Sequence, residues 1–316
     1  MISDFRYTHQ LQQECPGLEL EIRPVQTTFW PFVGGVLART GLREVGFESD
    51  ALSVSARDQL QTETPPDFAI IPVSGLVEEL RAIKDACEVM AIRQAIGVAE
   101  RAFLKNLLHL RDETCTEKQF ADLMDASMRS EGALCASFPV IAASGAHAAL
   151  PHARPRPKQR IGNSGMVLVD WGADVGPYKS DMTRTMWLGE PEDLFERIYQ
   201  TVLTAHDRAI SAVRPGTLAR SVDEAARACI ERAGYGSSFG HGTGHGVGRM
   251  IHESPWLRVG NTATLQAGMV VTIEPGIYLP GWGGVRIEDV ILVTEAGAEV
   301  LTTLPTSLEW SRAGWR

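Results

Sequence analysis

Met166-Val-Leu-Val-Asp-Trp-Gly-Ala-Asp-Val-Gly-Pro-Tyr-Lys-Ser-Asp-Met-Thr-Arg-Thr-Met-Trp-Leu188 reads as two apolar strands, Met166–Trp171 and Ser180–Leu188, around a turn-rich stretch, Gly172–Pro177. Each strand carries one acid, Asp170 and Asp181, nearly equidistant from the turn's centre. If the strands pair across that turn, the two side chains oppose each other with Cβ atoms about 5 Å apart. Val270–Tyr278 and Val285–Val293 repeat the pattern around Pro280-Gly-Trp-Gly-Gly284, with Glu274 and Glu288 equidistant from Gly281. Opposed carboxylates inside apolar strands repel unless a cation lies between them. A single pair is often relieved by solvent or a lysine; two mirrored pairs together with His245 read as a metal centre. Four oxygen donors and one imidazole suit Mn²⁺, Co²⁺ or Fe²⁺ better than a thiolate zinc site does. Four carboxylates exceed the charge of one divalent ion, so two ions ~3.5–4 Å apart, and hydrolytic chemistry, are expected.

The bulk of the chain is ordinary: 316 residues, 44% hydrophobic and 22% charged, enough for one large domain or two smaller ones. A net charge of −9 argues against a nucleic-acid partner, which needs basic patches. Five cysteines, Cys15, Cys87, Cys115, Cys135 and Cys229, are odd in number and widely spaced, as expected of free thiols in a reducing compartment. No signal peptide or membrane-length apolar run is visible, so a cytoplasmic location is expected.

Residues 1–77 read as a short α/β domain with strands at Leu18–Val25 and Phe68–Val73, and 78–316 as the catalytic domain. A helical pattern runs from near Val77 to about Leu110, with Leu80, Ile83, Cys87, Met90 and Val98 on one face. Thr116 with Gln119, and Ser221 with Glu224, form candidate capping boxes, and Gly132 and Gly234 stand where those helices should stop. Another helix is expected from Pro191 to about Val213. Helix followed by acid-bearing hairpin occurs twice, which suggests a duplicated α+β domain.

Further stretches carry a resemblance. They are Ser144-Gly-Ala-His-Ala-Ala-Leu-Pro-His152, Val169-Asp-Trp-Gly172, Tyr178-Lys-Ser-Asp-Met-Thr-Arg-Thr185, His241-Gly-Thr-Gly-His-Gly-Val-Gly248, Ile251-His-Glu-Ser-Pro255, Thr272-Ile-Glu-Pro-Gly276 and Gly284-Val-Arg-Ile-Glu-Asp289. In this order they resemble the pita-bread metallopeptidases, within them the Xaa-Pro aminopeptidases and prolidases, from about Leu80 to Thr302. The resemblance implies a dinuclear site, Mn²⁺ first with Co²⁺ or Zn²⁺ as alternatives, and a bridging hydroxide. Asp170 would chelate one ion, Asp181 and Glu288 bridge both, and His245 and Glu274 complete the other ion's set of ligands. Glu274 would also shuttle the proton from water to the leaving proline nitrogen. His152 and His252 match cleft histidines that bind substrate and stabilise the tetrahedral intermediate. Arg286, on the strand face of Glu288, would orient a carboxylate or contact substrate, and His241 is a further substrate-binding candidate. His147 is given no role; Asp174 reads as a turn residue, Asp289 as a support for a ligand, and Tyr278 as a cleft or core residue.

Alternatives are a methionine-aminopeptidase-like specificity and a non-catalytic binding member of the same fold. Gly236-Ser-Ser-Phe-Gly240 matches a nucleophile-elbow spacing but lacks the strand before and the helix after it. Met1-Ile-Ser-Asp-Phe-Arg-Tyr-Thr8 resembles a stretch well inside the family's N-terminal domain, so that domain is expected to be shortened. A homodimer acting on proline-containing peptides is the expected assembly.

Overall fold

Short apolar runs between prolines and glycines give short elements at the start of the chain. The computed structural model describes residues 1–162 and 165–312, which divide into two compact units, Met1–Val77 and Glu78–Arg316. In the first, β1 (Ile2–Asp4) pairs in parallel with β2 (Glu21–Arg23), and β3 (Glu44–Glu48) with β4 (Ala69–Val73). Helices α1 (Thr8–Glu14), α2 (Phe29–Arg39) and α3 (Val54–Thr62) alternate with them. Leu60, Phe68 and Ile70 form a small core with Trp30, Val33, Leu37, Val45 and Phe47 packed on it.

The long helix expected from Val77 is broken. Helix α4 (Leu76–Ala82) stops where Ile83 bridges to Met269 and the Lys84 amide donates to Gly268 O at 2.8 Å. Asp85 and Glu88 then cap each other's backbone amides and start α5 (Ala86–Asn106). The restart changes the helical phase. Leu80, Ile83, Cys87 and Met90 are exposed, and the buried stripe is Ile92, Ile96, Ala99 and Phe103; Val98, also expected there, is buried.

Thr116 and Gln119 make the expected capping box of α6 (Glu117–Ser130), which ends before Gly132 at φ +108°. Beyond it lie β5 (Cys135–Ala136), β6 (Ile141–Ser144), β7 (Met166–Trp171), β8 (Ala173–Val175), β9 (Tyr178–Lys179) and β10 (Met182–Trp187). Helix α7 (Asp193–Ala212) follows, then α8 (Ala219–Arg232). Ser221 lies inside α8 and caps nothing. The first amides of that helix donate instead to backbone, Ala219 to Ala263 O and Arg220 to Asn261 O. The remaining strands are β11 (Gly244–Gly246), β12 (Glu253–Leu257), β13 (Val270–Ile273), β14 (Gly276–Leu279), β15 (Gly283–Arg286), β16 (Asp289–Thr294) and β17 (Gly297–Val300), before a final turn of helix, α9 (Leu308–Ser311).

The duplication is visible in the sheets. The first half gives the order β10-β7-β6, and the second β12-β11-β13-β16-β17, so β6, β7 and β10 correspond to β11, β13 and β16. Two buried clusters fill the interior, and both draw on β7 and on strands of the second half. Among the described residues, no helix is long and apolar enough to cross a membrane.

Candidate metal centre

Each hairpin changes sheet part-way along its length, and the acids sit at or beside that break. In the first, β7 pairs with β10 as far as Trp171↔Met182, and β8 resumes with β9 at Asp174↔Lys179. In the second, β13–β16 ends at Ile273↔Asp289 and β14–β15 begins at Gly276↔Arg286. Continuing the second register sets Glu274 opposite Glu288, as the symmetry about Gly281 implies. The first register differs from expectation. The hairpin folds between Gly176 and Pro177, so Asp170 pairs with Thr183 and Asp181 falls opposite Gly172. Asp170 and Asp181 are therefore diagonal neighbours on one face, still within reach of a shared ligand.

The chain brings the expected acids together. Asp181, His245 and Glu288 each offer a ligand atom, all within 4.8 Å of one another. His245 Nε2 lies 3.5 Å from Asp181 Oδ2 and 3.3 Å from Glu274 Oε1. Its Nδ1 donates to Gly246 O at 3.0 Å, a bond that holds the ring with Nε2 facing the carboxylates. Thr183 Oγ1 donates to Glu288 Oε2 at 2.7 Å. Arg286 donates from Nη2 to Asp170 Oδ2 at 2.6 Å, from Nε to Thr183 Oγ1 at 3.0 Å and from Nη1 to the Tyr278 hydroxyl at 2.8 Å.

The electrostatics ask for a cation. Burial, then the neighbouring Glu288, Asp170 and Glu274, pushes the Asp181 carboxyl well above its ordinary range. Burial and the charges of Glu274 and Asp170 do the same to Glu288, and burial raises Asp170 despite Arg286. Burial also pushes Glu274 upward, but its hydrogen bond to His245 and the charges of His245, His241 and Arg286 outweigh it and hold it at about 2. Asp170 Oδ1 is buried and has no hydrogen-bond partner among the described residues. An orphaned carboxylate oxygen, crowded acids and an oriented imidazole fit divalent ions held by hard oxygen donors.

These groups line a cavity of about 570 Å³. Phe138, Pro139, Ile141, Pro151 and Trp256 supply apolar wall, and His152, His252 and His241 line it as well. His152 and His252 are exposed, and the His252 ring stands edge-on to His245 with centroids 4.4 Å apart. His241 is engaged at both nitrogens. Nδ1 donates to Gly242 O at 2.8 Å, and Nε2 accepts from the Tyr278 hydroxyl at 2.9 Å. Tyr278 thus joins the site rather than only the core.

Some residues went unread in the sequence. His147, given no role, places Nδ1 2.9 Å from Glu117 Oε2. Glu117 also accepts from the Ser144 amide and hydroxyl and the Arg156 amide, bracketing the segment that bears His152. Arg184, fully buried, grips the carbonyls of Thr183 and Glu288 and donates to Asp289 Oδ1 at 2.7 Å, so Asp289 supports a ligand through this arginine. An arginine inside an apolar strand was the available signal. Asp174 pairs with Lys179 across the hairpin.

The metallopeptidase family M24 model matches residues 90–295, and the creatinase/prolidase N-terminal domain model matches residues 1–83. The chain belongs to metallopeptidase family M24. This M24 chain has the pita-bread α+β architecture expected from its sequence, with a creatinase/prolidase-type N-terminal domain. An uncharacterized peptidase of Bacillus subtilis is 37% identical to it, over 97% of this chain and 86% of the relative. The structure of an Xaa-Pro dipeptidase from Bacillus anthracis superposes with a TM-score of 0.92 at 39% identity, covering 97% of this chain and 85% of the other. An X-Pro aminopeptidase from Thermotoga maritima gives 0.87 at 35% identity, covering 97% and 86%.

Proposed function

We propose that this M24 chain is a metal-dependent exopeptidase that hydrolyses the Xaa-Pro bond at the N-terminus of peptides or in dipeptides. The observation that carries the reading is the cluster of Asp181, His245 and Glu288 donors, within 4.8 Å of one another, lining a cavity that also holds Asp170 and Glu274. The similarity to an Xaa-Pro dipeptidase and an X-Pro aminopeptidase supports the proline specificity. A bond to proline lacks the N–H that other peptidases grip, so an apolar wall suits the substrate better than a row of acceptors.

In this reading Asp170, Asp181, His245, Glu274 and Glu288 hold two divalent ions, Mn²⁺ first, with Co²⁺ and Zn²⁺ as the alternatives the donor set accepts. Ions bound there would supply Lewis acidity, polarising the scissile carbonyl and acidifying the attacking water. Glu274 would take the proton from that water and deliver it to the proline nitrogen. His152 and His252 donate to the developing oxyanion from the cavity wall. Arg286 orients Asp170, and His241, its nitrogens engaged, borders the substrate with its ring. The reading includes a homodimer, as the sequence resemblance implies, and a cytoplasmic location, supported by five free cysteines. Residues 1–77 and 78–316 are taken as the N-terminal and catalytic domains.

The decisive assay compares Xaa-Pro, Xaa-Pro-Yaa and Xaa-Ala-Yaa peptides with added Mn²⁺ and with chelator. Metal-dependent cleavage confined to proline peptides is expected, and the two proline lengths separate dipeptidase from aminopeptidase. Equal cleavage of the alanine peptide, or none of any peptide with two metals bound, overturns it.

A further inference from the structure

Asp223 is an acid with no solvent exposure, on a helix rather than on either hairpin. Its Oδ1 accepts from the Thr243 amide at 3.0 Å and the Thr243 hydroxyl at 2.9 Å. Arg227, one turn further along α8, closes on both oxygens, Nε to Oδ2 and Nη2 to Oδ1, each at 2.9 Å. The same guanidinium donates to Phe239 O at 2.9 Å and His241 O at 2.8 Å, and lies 4.3 Å over the Phe239 ring.

An ion pair four residues apart on a helix, its acid buried and its arginine half-buried, is often no more than a brace within that helix. Here the pair's other hydrogen bonds all go to one loop. The pair takes the carbonyls of Phe239 and His241 and the amide of Thr243, so Gly242 is bracketed on both sides. Thr243 passes the constraint on, because its carbonyl accepts from the Glu274 amide at 2.7 Å. His245 follows two residues later on β11. That strand is pressed so close to β13 that a Cβ on Gly244 would lie 1.9 Å from Thr272 O. The loop therefore has little freedom between the Asp223–Arg227 pair and the two side chains that meet at 3.3 Å, His245 and Glu274.

We propose that Asp223 and Arg227 form a clamp on the Phe239–His245 loop, a positioning pair that sets His245 and Glu274 as ligands of the same metal ion. The clamp rests on the metal-centre reading above and adds to it residues that touch neither metal nor substrate. It acts on one ion of the two, because the ligands from the first half, Asp170 and Asp181, hang on a different hairpin.

The test titrates Mn²⁺ alone into the metal-free full chain by calorimetry and records its melting temperature, for wild type, Asp223→Asn and Arg227→Lys. Asparagine keeps an acceptor for Thr243 and loses the charge facing Arg227; lysine keeps the charge and loses the fork. Wild type should bind two ions. Both variants should bind one ion as wild type does and the other about 10–100-fold more weakly, with kcat reduced more than KM is changed. Variants that melt lower without metal yet bind both ions with wild-type affinity would show a helix brace only and overturn the clamp. Should Asp223→Asn not fold, Arg227→Lys decides on the same readout. A wild-type chain that binds no metal fails differently, since it removes the metal-centre reading first and the clamp with it.

Discussion

Arg286 ties together acids from both hairpins. It donates directly to Asp170, and through Thr183 it reaches Glu288, since the threonine hydroxyl accepts from Nε and donates to the carboxylate. A point charge cannot serve three partners set around a planar fork. Arg286→Lys should lower kcat about 10–100-fold with a smaller change in KM, read by steady-state kinetics on an Xaa-Pro peptide; unchanged kcat would detach the arginine from the ligands. Asp181 makes the opposite kind of contribution. Its carboxyl is buried among Glu288, Asp170 and Glu274, so without a cation it costs folding energy. Asp181→Asn should abolish binding of two ions, with no fall in the melting temperature of the metal-free chain. Two ions still bound in that variant, counted after desalting, would mean the site lies elsewhere.

At the scale of elements, the second hairpin was legible and the first only in part. Glu274 and Glu288 flank a turn centred on Gly281, where φ is +83°, and a glycine in that conformation marks the fold of the hairpin without ambiguity. In the first hairpin the turn-rich stretch from Gly172 to Pro177 contains a strand, β8, and the fold point lies at its far end. Turn composition marks a bend, and register follows only when the bend's exact centre is known. The broken helix before Asp85 was hidden for another reason. Its interruption depends on Ile83 and Lys84 pairing with Met269 and Gly268, partners too distant in sequence for local periodicity to report. The Asp223 clamp was invisible on the same ground. Gly172 is where the first hairpin changes sheet, and a Cβ there would lie 1.9 Å from Ser180 O. Gly172→Ala should therefore cost about 1–3 kcal/mol, seen as a lower denaturation midpoint together with weaker metal binding. A variant as stable as wild type would show that the close approach is not needed.

The catalytic unit as a whole is two similar halves that meet over one set of ligands. In the proposed centre the first half supplies Asp170 and Asp181, and the second supplies His245, Glu274 and Glu288. Helices, sheet order and hairpins are repeated, but the donor sets are not, so neither half carries the full set of ligands. The interior already joins the halves through apolar packing, because both buried clusters mix residues of the two. Metal held by the proposed ligands would add a polar bond across the same boundary, after overcoming the repulsion that burial imposes on Asp181 and Glu288. Stability should then depend on metal concentration by mass action, gaining about 2.7 kcal/mol at a free ion concentration one hundred times Kd. The melting temperature should rise steadily with added Mn²⁺ and fall with chelator, and Asp181→Asn should flatten that dependence. If instead the wild-type midpoint stays fixed across the titration, the folded chain binds the ions no more tightly than the unfolded chain does, and the proposed centre is not a metal site of the folded state.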